Sequence, residues 1–312
     1  MPGNEPSHIS YDIRIDPYSP AEMAGRAQSV GVNKANLDFI NTFTLGILAG
    51  AFIALGAELA TVVYTDTGMG YGPSRLLMGM SFALGLILVV VAGAELFTGN
   101  TLIIMAWAGA KVTTLQLLRN WAIVYLGNLV GSIGTVLFVY YGKVWSFGGN
   151  KVGVTALSIA NGKVNLDFWQ ALALGILCNA LVCLAVWLCF SARSTTDKIL
   201  SIVPPITAFV ASGFEHSIAN MYFIPLGVLL KNQPQVVEAA AKAAGGAAPN
   251  LANLTWLGFV LNNLIPVTLG NIIGGAVLVG GFYWLVYLRT PVRIQRLVNG
   301  RALVEAQGVS KG

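Results

Sequence analysis

Charge is scarce in this chain. Only 10% of its 312 residues are Asp, Glu, Lys or Arg, against about 25% in an ordinary soluble domain. The 18 basic and 13 acidic residues leave a net charge of +5, but the basic ones are dispersed between apolar blocks. No basic helix or aromatic–basic interleaving appears, which excludes a nucleic-acid footprint. Histidine occurs twice, as His8 and His216, and cysteine three times, as Cys178, Cys183 and Cys189 in one apolar block. Such cysteines behave as small buried hydrophobes, and no disulfide framework is legible from them. HExxH, GxxxxGK[ST] and GxGxxG are all missing, as is paired His/Cys chemistry, so the chain is expected to be no enzyme and to hold no metal or cofactor. The first 38 residues carry Asp12, Arg14, Asp16, Glu22, Arg26, Lys34 and Asp38 without the hydrophobic run of a cleavable signal.

What is abundant is apolar surface. Hydrophobic residues make up 55% of the chain, and mean hydropathy is +0.71. Blocks such as LMGMSFALGLILVVVAGAELF and FWQALALGILCNALVCLAVWLCF exceed the roughly 20 residues that cross a bilayer core. Neither has the polar face that a water-soluble core helix needs every 3.6 residues. The chain is therefore an all-α integral membrane protein. Six apolar segments are expected, at roughly 39–64, 75–108, 112–141, 168–191, 199–230 and 254–289. Between them lie DTGMGYGP, a polar stretch 142–167 and an Ala/Gly-rich stretch 231–252. PYSPAEMAGRAQSVGVNKANL reads as a short helix near the membrane face, capped at Ser19 with Pro20 in its first turn. The chain thus divides into an N-terminal segment 1–38, a transmembrane domain 39–290 with halves 39–141 and 168–289, and a basic tail 291–312.

Twelve of the Lys and Arg residues, including Arg289, Arg293, Arg296 and Arg301, group with the termini. Arg75, Lys143, Lys151, Lys163, Lys231 and Lys242 oppose them. The positive-inside rule then places both termini in the cytoplasm.

The second and fifth segments depart from plain helices. VVAGAELFTGNTLIIM and FVASGFEHSIANMYF each set glycine and ionisable residues inside apolar sequence. Buried ionisable groups in a membrane face protein or a water-filled cavity. The spacing Gly93, Glu95, Asn100 repeats in Gly213, Glu215, Asn220; Leu45-Gly46-Ile47-Leu48 recurs as Leu174-Gly175-Ile176-Leu177, and Leu126-Gly127-Asn128 as Leu269-Gly270-Asn271. Three matches in one order imply two three-helix halves, and an odd number of helices per half makes the repeat inverted in the membrane. Broken helices at equivalent places point to a midplane site whose half-helix N-termini favour an anion. Glu95 and Glu215 are expected to accept hydrogen bonds from the backbone N–H groups freed at the breaks. Glu215 lies about 100° around a helix from His216, so contact between them is not assumed. The competing reading is a structural protein with kinked helices and polar clusters that only pack.

These same runs, ELFTGN, RNWAIVYLGNLVGS, LGILCNALVCLAVW, ASGFEHSIANMYFIPLG and NLIPVTLGNIIGG, resemble the formate/nitrite transporter family, and its formate channels most. The resemblance spans about residues 16–289. It implies a six-helix, aquaporin-like protomer, a homopentamer with one pore per protomer, residence in the bacterial inner membrane, and passage of formate, with nitrite and protons as further partners. It places Phe82 and Phe209 at a constriction with Leu86, Leu96 and Val182 beside it. Thr98 stands at the second-segment break, Asn179 and His216 form a polar pair in a central chamber, and Lys163 is an outer lysine that supports or attracts the anion. Gly99 departs from the small hydroxyl residue expected there. Phe82 and Phe209 also fit as core or lipid-facing aromatics, and Lys163 as a solvated loop charge. His216, alone in apolar sequence beside a break, has few such uses, and a pKa near neutrality suits it to donating a hydrogen bond or a proton. A nitrite transporter is the near alternative. A neutral-solute channel of the aquaporin type lacks its Asn-Pro-Ala repeats here.

Overall fold

The computed structural model describes residues 16–289; His8, the tail 291–312 and its arginines lie outside them. The architecture is a membrane bundle of helices. Helix α1 (Pro20–Ala35) begins where Ser19 and Glu22 close a reciprocal capping box with Pro20 in the first turn. Helix α2 (Phe39–Tyr64) starts at Asp38, whose side chain accepts the Asn41 N–H; those amide contacts hold the exposed Asp38 carboxyl below its ordinary pKa.

Helix α3 (Tyr71–Ile87) runs on through a wide π-helical turn, Leu88–Gly93. After a gap at 94–96, helix α4 covers Phe97–Ala108. Next come α5 (Thr114–Tyr141), α6 (Lys151–Val164), α7 (Phe168–Ser191), α8 (Thr195–Ala211), α9 (Ser217–Leu230) and α10 (Pro234–Ala243). Last is α11, Trp256–Leu288, much of it π-helical. Among the described residues five helices are long and apolar enough to cross a membrane: α2, α3 with its π-turn, α5, α7 and α11. The fifth apolar segment is no single span, because α8 and α9 are separate short helices flanking 212–216.

Glycine sets the closest packing. A Cβ on Gly50 of α2 would sit 2.0 Å from the Asn128 carbonyl oxygen of α5, and one on Gly131 of α5 would sit 1.9 Å from that of Ile47. The α7–α11 pair repeats this: Cβ atoms on Gly270 and Gly274 would fall 2.3 and 2.1 Å from the carbonyls of Leu172 and Ile176. Close backbone approach is how helices gain dispersion energy where lipid offers no hydrophobic drive. The outer surface is apolar, with Ile40, Leu115 and Phe138 exposed.

The connectors hold more structure than their polarity suggested. The stretch 142–167 contains α6, which packs on α9, and 231–252 contains α10.

Candidate functional site

The two breaks share one backbone pattern. Each upstream helix ends in a wide turn, with the Ala94 N–H on the Val89 carbonyl at 2.9 Å and Phe214 on Phe209 at 3.0 Å. Gly93 (φ +84°) and Gly213 (φ +77°) then take left-handed backbone, which glycine enters without Cβ strain. The Glu95 N–H reaches the Leu45 carbonyl at 3.2 Å, and Glu215 that of Leu174 at 3.3 Å.

Backbone groups freed by the gaps go to two fully buried asparagines. Asn128 Oδ1 accepts the Phe97 N–H at 3.0 Å, while its Nδ2 donates to the carbonyls of Gly46 and Glu95 at 2.8 and 2.9 Å. Asn271 does the same for Ser217, Gly175 and Glu215 at 2.9, 2.8 and 3.0 Å. This corrects one expectation: the glutamates do not serve the backbone N–H groups. An amide side chain supplies donor and acceptor together, which a gap needs and a carboxylate lacks.

The glutamates hold lysines instead. Lys34 Nζ of α1 lies 2.7 Å from Glu95 Oε1 and 2.9 Å from Asn100 Oδ1; Asn100 Nδ2 donates to Glu95 Oε2 at 2.6 Å and to Asn120 Oδ1 at 2.9 Å. In the other half, Lys163 Nζ of α6 lies 2.7 Å from Glu215 Oε1. There Asn220 Nδ2 donates to Glu215 Oε2 and Asn263 Oδ1, both at 2.7 Å. Lys163 is therefore not a loop residue. It sits on a helix, 15% exposed, against a nearly buried carboxylate. Sequence reasoning passed over Lys34, Asn120 and Asn263. The interval from Lys34 to Lys163 equals that from Gly46 to Gly175, and Asn120 to Asn263 equals Asn128 to Asn271, so the repeat carried the signal.

At the centre the two gaps meet. Thr98, in the first turn of α4, and His216, the cap of α9, are joined by Oγ1 and Nε2 at 3.0 Å. The Ala219 N–H points at His216 Nδ1, 3.1 Å away. A backbone N–H only donates, so Nδ1 carries no proton, and the neutral ring bears its hydrogen on Nε2, directed at Thr98. Asn179 Nδ2 donates to the carbonyls of Thr98 and Asn271 at 3.2 and 2.6 Å. It thus meets His216 only through Thr98. No hydrogen bond links His216 to Glu215 among the described residues.

Two cavities approach this point from opposite sides and share no lining residue. One, about 480 Å³, is lined by Leu86, Gly93, Glu95, Leu96 and Asn100, with Arg26, Lys34 and Lys198 as its cations. The other, about 380 Å³, is lined by Phe82, Phe209, Gly213, Glu215, His216 and Asn220, with Arg75 and Lys163. Phe82 and Leu86, one turn apart on α3, face one cavity each. The rings of Phe82 and Phe209 meet edge to face at 5.5 Å, and Phe209 stacks on His216 at 5.9 Å. Thr98, Asn179 and Val182 are buried between the cavities and line neither. Phe82, Phe209 and His216 thus line one cavity and Leu86 and Leu96 the other, with Thr98 hydrogen-bonded to His216. Among the described residues no cluster of His, Cys, Asp and Glu could hold a metal ion.

Residues 21–285 match the family described as Formate/nitrite transporter. The chain is 45% identical over 281 residues to the formate channel FocA of Escherichia coli, covering 89% of this chain and 97% of that one. It is 40% identical over 268 residues to the formate channel FocA of Haemophilus influenzae, covering 85% and 93%. Among solved structures it is similar to a pentameric formate channel with formate bound, with 46% identity, a TM-score of 0.74, and coverage of 80% of this chain and 98% of that one.

Proposed function

This chain belongs to the formate/nitrite transporter family, and we propose that it moves formate passively across the bacterial inner membrane through a pore within each protomer of a homopentamer. The observation that carries the reading is the Thr98–His216 contact, where two broken helices meet N-terminus to N-terminus between two cation-lined cavities. Paired half-helix N-termini present positive dipole ends and backbone N–H groups to an anion.

The pore would run from the Lys34 cavity past Leu86, Leu96, Thr98 and His216 to Phe82, Phe209 and the Lys163 cavity. Formate stripped of water between two aromatic rings loses strong hydrogen bonds, and His216 Nε2–H replaces one of them when it turns from Thr98 to the anion. Handing over a proton would require a doubly protonated ring, and a proton on Nδ1 would forfeit the Ala219 cap. The geometry therefore favours hydrogen-bond donation. The matched hydrogen bonds at the two breaks support an inverted repeat with six crossings, α8 and α9 together making the fifth. The lysine and arginine distribution supports cytoplasmic termini, which puts the Lys34 cavity inside and the Lys163 cavity outside. The segment 1–38 and the tail 291–312 then flank the channel domain 39–290 on the cytoplasmic face.

Anion flux into proteoliposomes tests this, with formate, nitrite, lactate and chloride compared as external pH is stepped from about 7.5 to about 5, the range in which an unperturbed histidine titrates. Formate is expected to move fastest, with a preference that His216→Phe loses; because the ring acts as a neutral donor, the variant should keep the wild-type pH profile. Faster nitrite flux would assign the chain to nitrite. A variant that kept the wild-type selectivity would refute the role of His216, and one that lost an acid response would restore proton transfer over hydrogen-bond donation.

A further inference from the structure

We propose, resting on the transport reading above, that Arg75 is the charge that draws the permeant anion into the outer cavity, and that Lys163 is not. Three charged side chains line that cavity: Arg75, Lys163 and Glu215. Lys163 is already matched, its Nζ 2.7 Å from Glu215 Oε1 with the side chain packed 5.4 Å over the Phe223 ring. At that separation the pair looks nearly neutral to an ion several ångströms away, because the two fields cancel with distance.

Arg75 has no carboxylate within 4 Å among the described residues. Its Nε donates to the Ala211 carbonyl at 3.1 Å and its Nη2 to that of Val210 at 2.7 Å. Nη1 reaches only the Met78 sulfur at 3.7 Å, a weak acceptor. Both carbonyls belong to the last turn of α8, just before the break, where the helix dipole amounts to about half a negative charge. A full guanidinium charge exceeds that, so a positive surplus stays on the cavity wall. The same bonds fix the direction of the fork and leave N–H groups on Nη1 and Nη2 for an anion, whose carboxylate plane the guanidinium suits. Position agrees as well. Arg75 Nη2 would lie 3.2 Å from a Cβ on Gly213, beside the turn that leads to Phe209 and His216.

The inner cavity follows the same logic. Lys34 is spent on Glu95, and Arg26 and Lys198 remain as cations without a carboxylate partner among the described residues.

Initial formate uptake is measured against external formate in right-side-out membrane vesicles, at low and high ionic strength. The chains compared are wild type, Arg75→Gln, which keeps an amide donor for the α8 carbonyls, and Arg75→Lys, which keeps the charge. Arg75→Gln is expected to raise the half-saturating concentration about threefold to tenfold at low salt with the maximal rate retained, as loss of one focusing charge implies. That gap should close near 1 M salt, where the Debye length is about 3 Å. Arg75→Lys should stay near wild type. An unchanged half-saturation in Arg75→Gln overturns the proposal. Equal loss of maximal rate in both variants also overturns it, since Arg75 would then only brace the break. Wild-type uptake at low external formate that ignores salt overturns it without any variant, and so covers a variant that fails to assemble. A wild type that moved no formate at all would refute the transport reading itself.

Discussion

Replacing Asn271 with leucine, which keeps the branch at Cγ but removes both polar atoms, should destabilise the fold by about 4 kcal/mol. Asn271 is fully buried and makes three hydrogen bonds to backbone. Gly175 lies inside α7, so its carbonyl keeps the helical bond when the amide is gone. The Glu215 carbonyl and the Ser217 N–H lie at the gap, with no turn of helix to take them back. Each buried group left unpaired costs about 1–3 kcal/mol, and two of them give the figure above. Side-chain hydrogen bonds between membrane helices average only about 0.6 kcal/mol, because freed groups find other partners in lipid-embedded states. Asn271 should exceed that average because it serves a backbone gap rather than another side chain. Unfolding titrations in SDS, followed by tryptophan near-ultraviolet dichroism, measure the difference. Asn262→Leu is the control. Asn262 is exposed and holds one long contact, 3.4 Å to the Val164 carbonyl, so its loss should fall within about 0.5 kcal/mol. If Asn271→Leu cost no more than this control, the view that asparagines carry the breaks would be wrong.

Lys163→Met should cost about 3–5 kcal/mol, since it strands the buried Glu215 carboxylate, and Glu215→Gln less, since Lys163 is 15% exposed and borders the cavity. The double variant should cost less than the sum, and strict additivity in the same titration would count against the pair. Gly50→Val should separate α2 from α5, because even a Cβ falls 2.0 Å from the Asn128 carbonyl oxygen. Size-exclusion chromatography should then show lost assembly, whereas Gly72→Ala, with open space around it, should elute as wild type. A normal profile for Gly50→Val would remove close backbone contact from the account.

Much of this was legible in the chain because the features are local. Apolar runs long enough to span a bilayer gave α2, α5 and α7 nearly to the residue. The Gly-x-Glu spacing located both breaks, and Ser19 with Pro20 marked the start of α1. What escaped was what pairs across the chain. Nothing local in NGKVNL says that Lys163 meets Glu215 across 52 positions, and a polar stretch between spans looks like a loop whether or not it folds into a helix such as α6. The asparagines were visible as repeat markers, but which polar group faces a freed N–H depends on helix packing that no window of sequence contains. Arg75 stands near the start of an apolar helix, where a lone arginine most often snorkels to the interface.

The physical demand behind this design is that a broken helix in a membrane frees backbone groups that lipid cannot satisfy. Here the demand is met twice, by Asn128 and Asn271, while Glu95 and Glu215 are tied to lysines. The Phe97 and Ser217 N–H groups are then held by protein and are not offered to an arriving anion. A binding site that traps would conduct poorly, since passage needs an ion to leave as readily as it enters. On the transport reading, the adjustable contact between the two breaks is Thr98–His216, in which a neutral ring offers its N–H to a hydroxyl that a carboxylate can replace. Exchange on that reading centres on this hydrogen bond while both lysines are already paired with glutamates, which is why His216 rather than either lysine should govern selectivity.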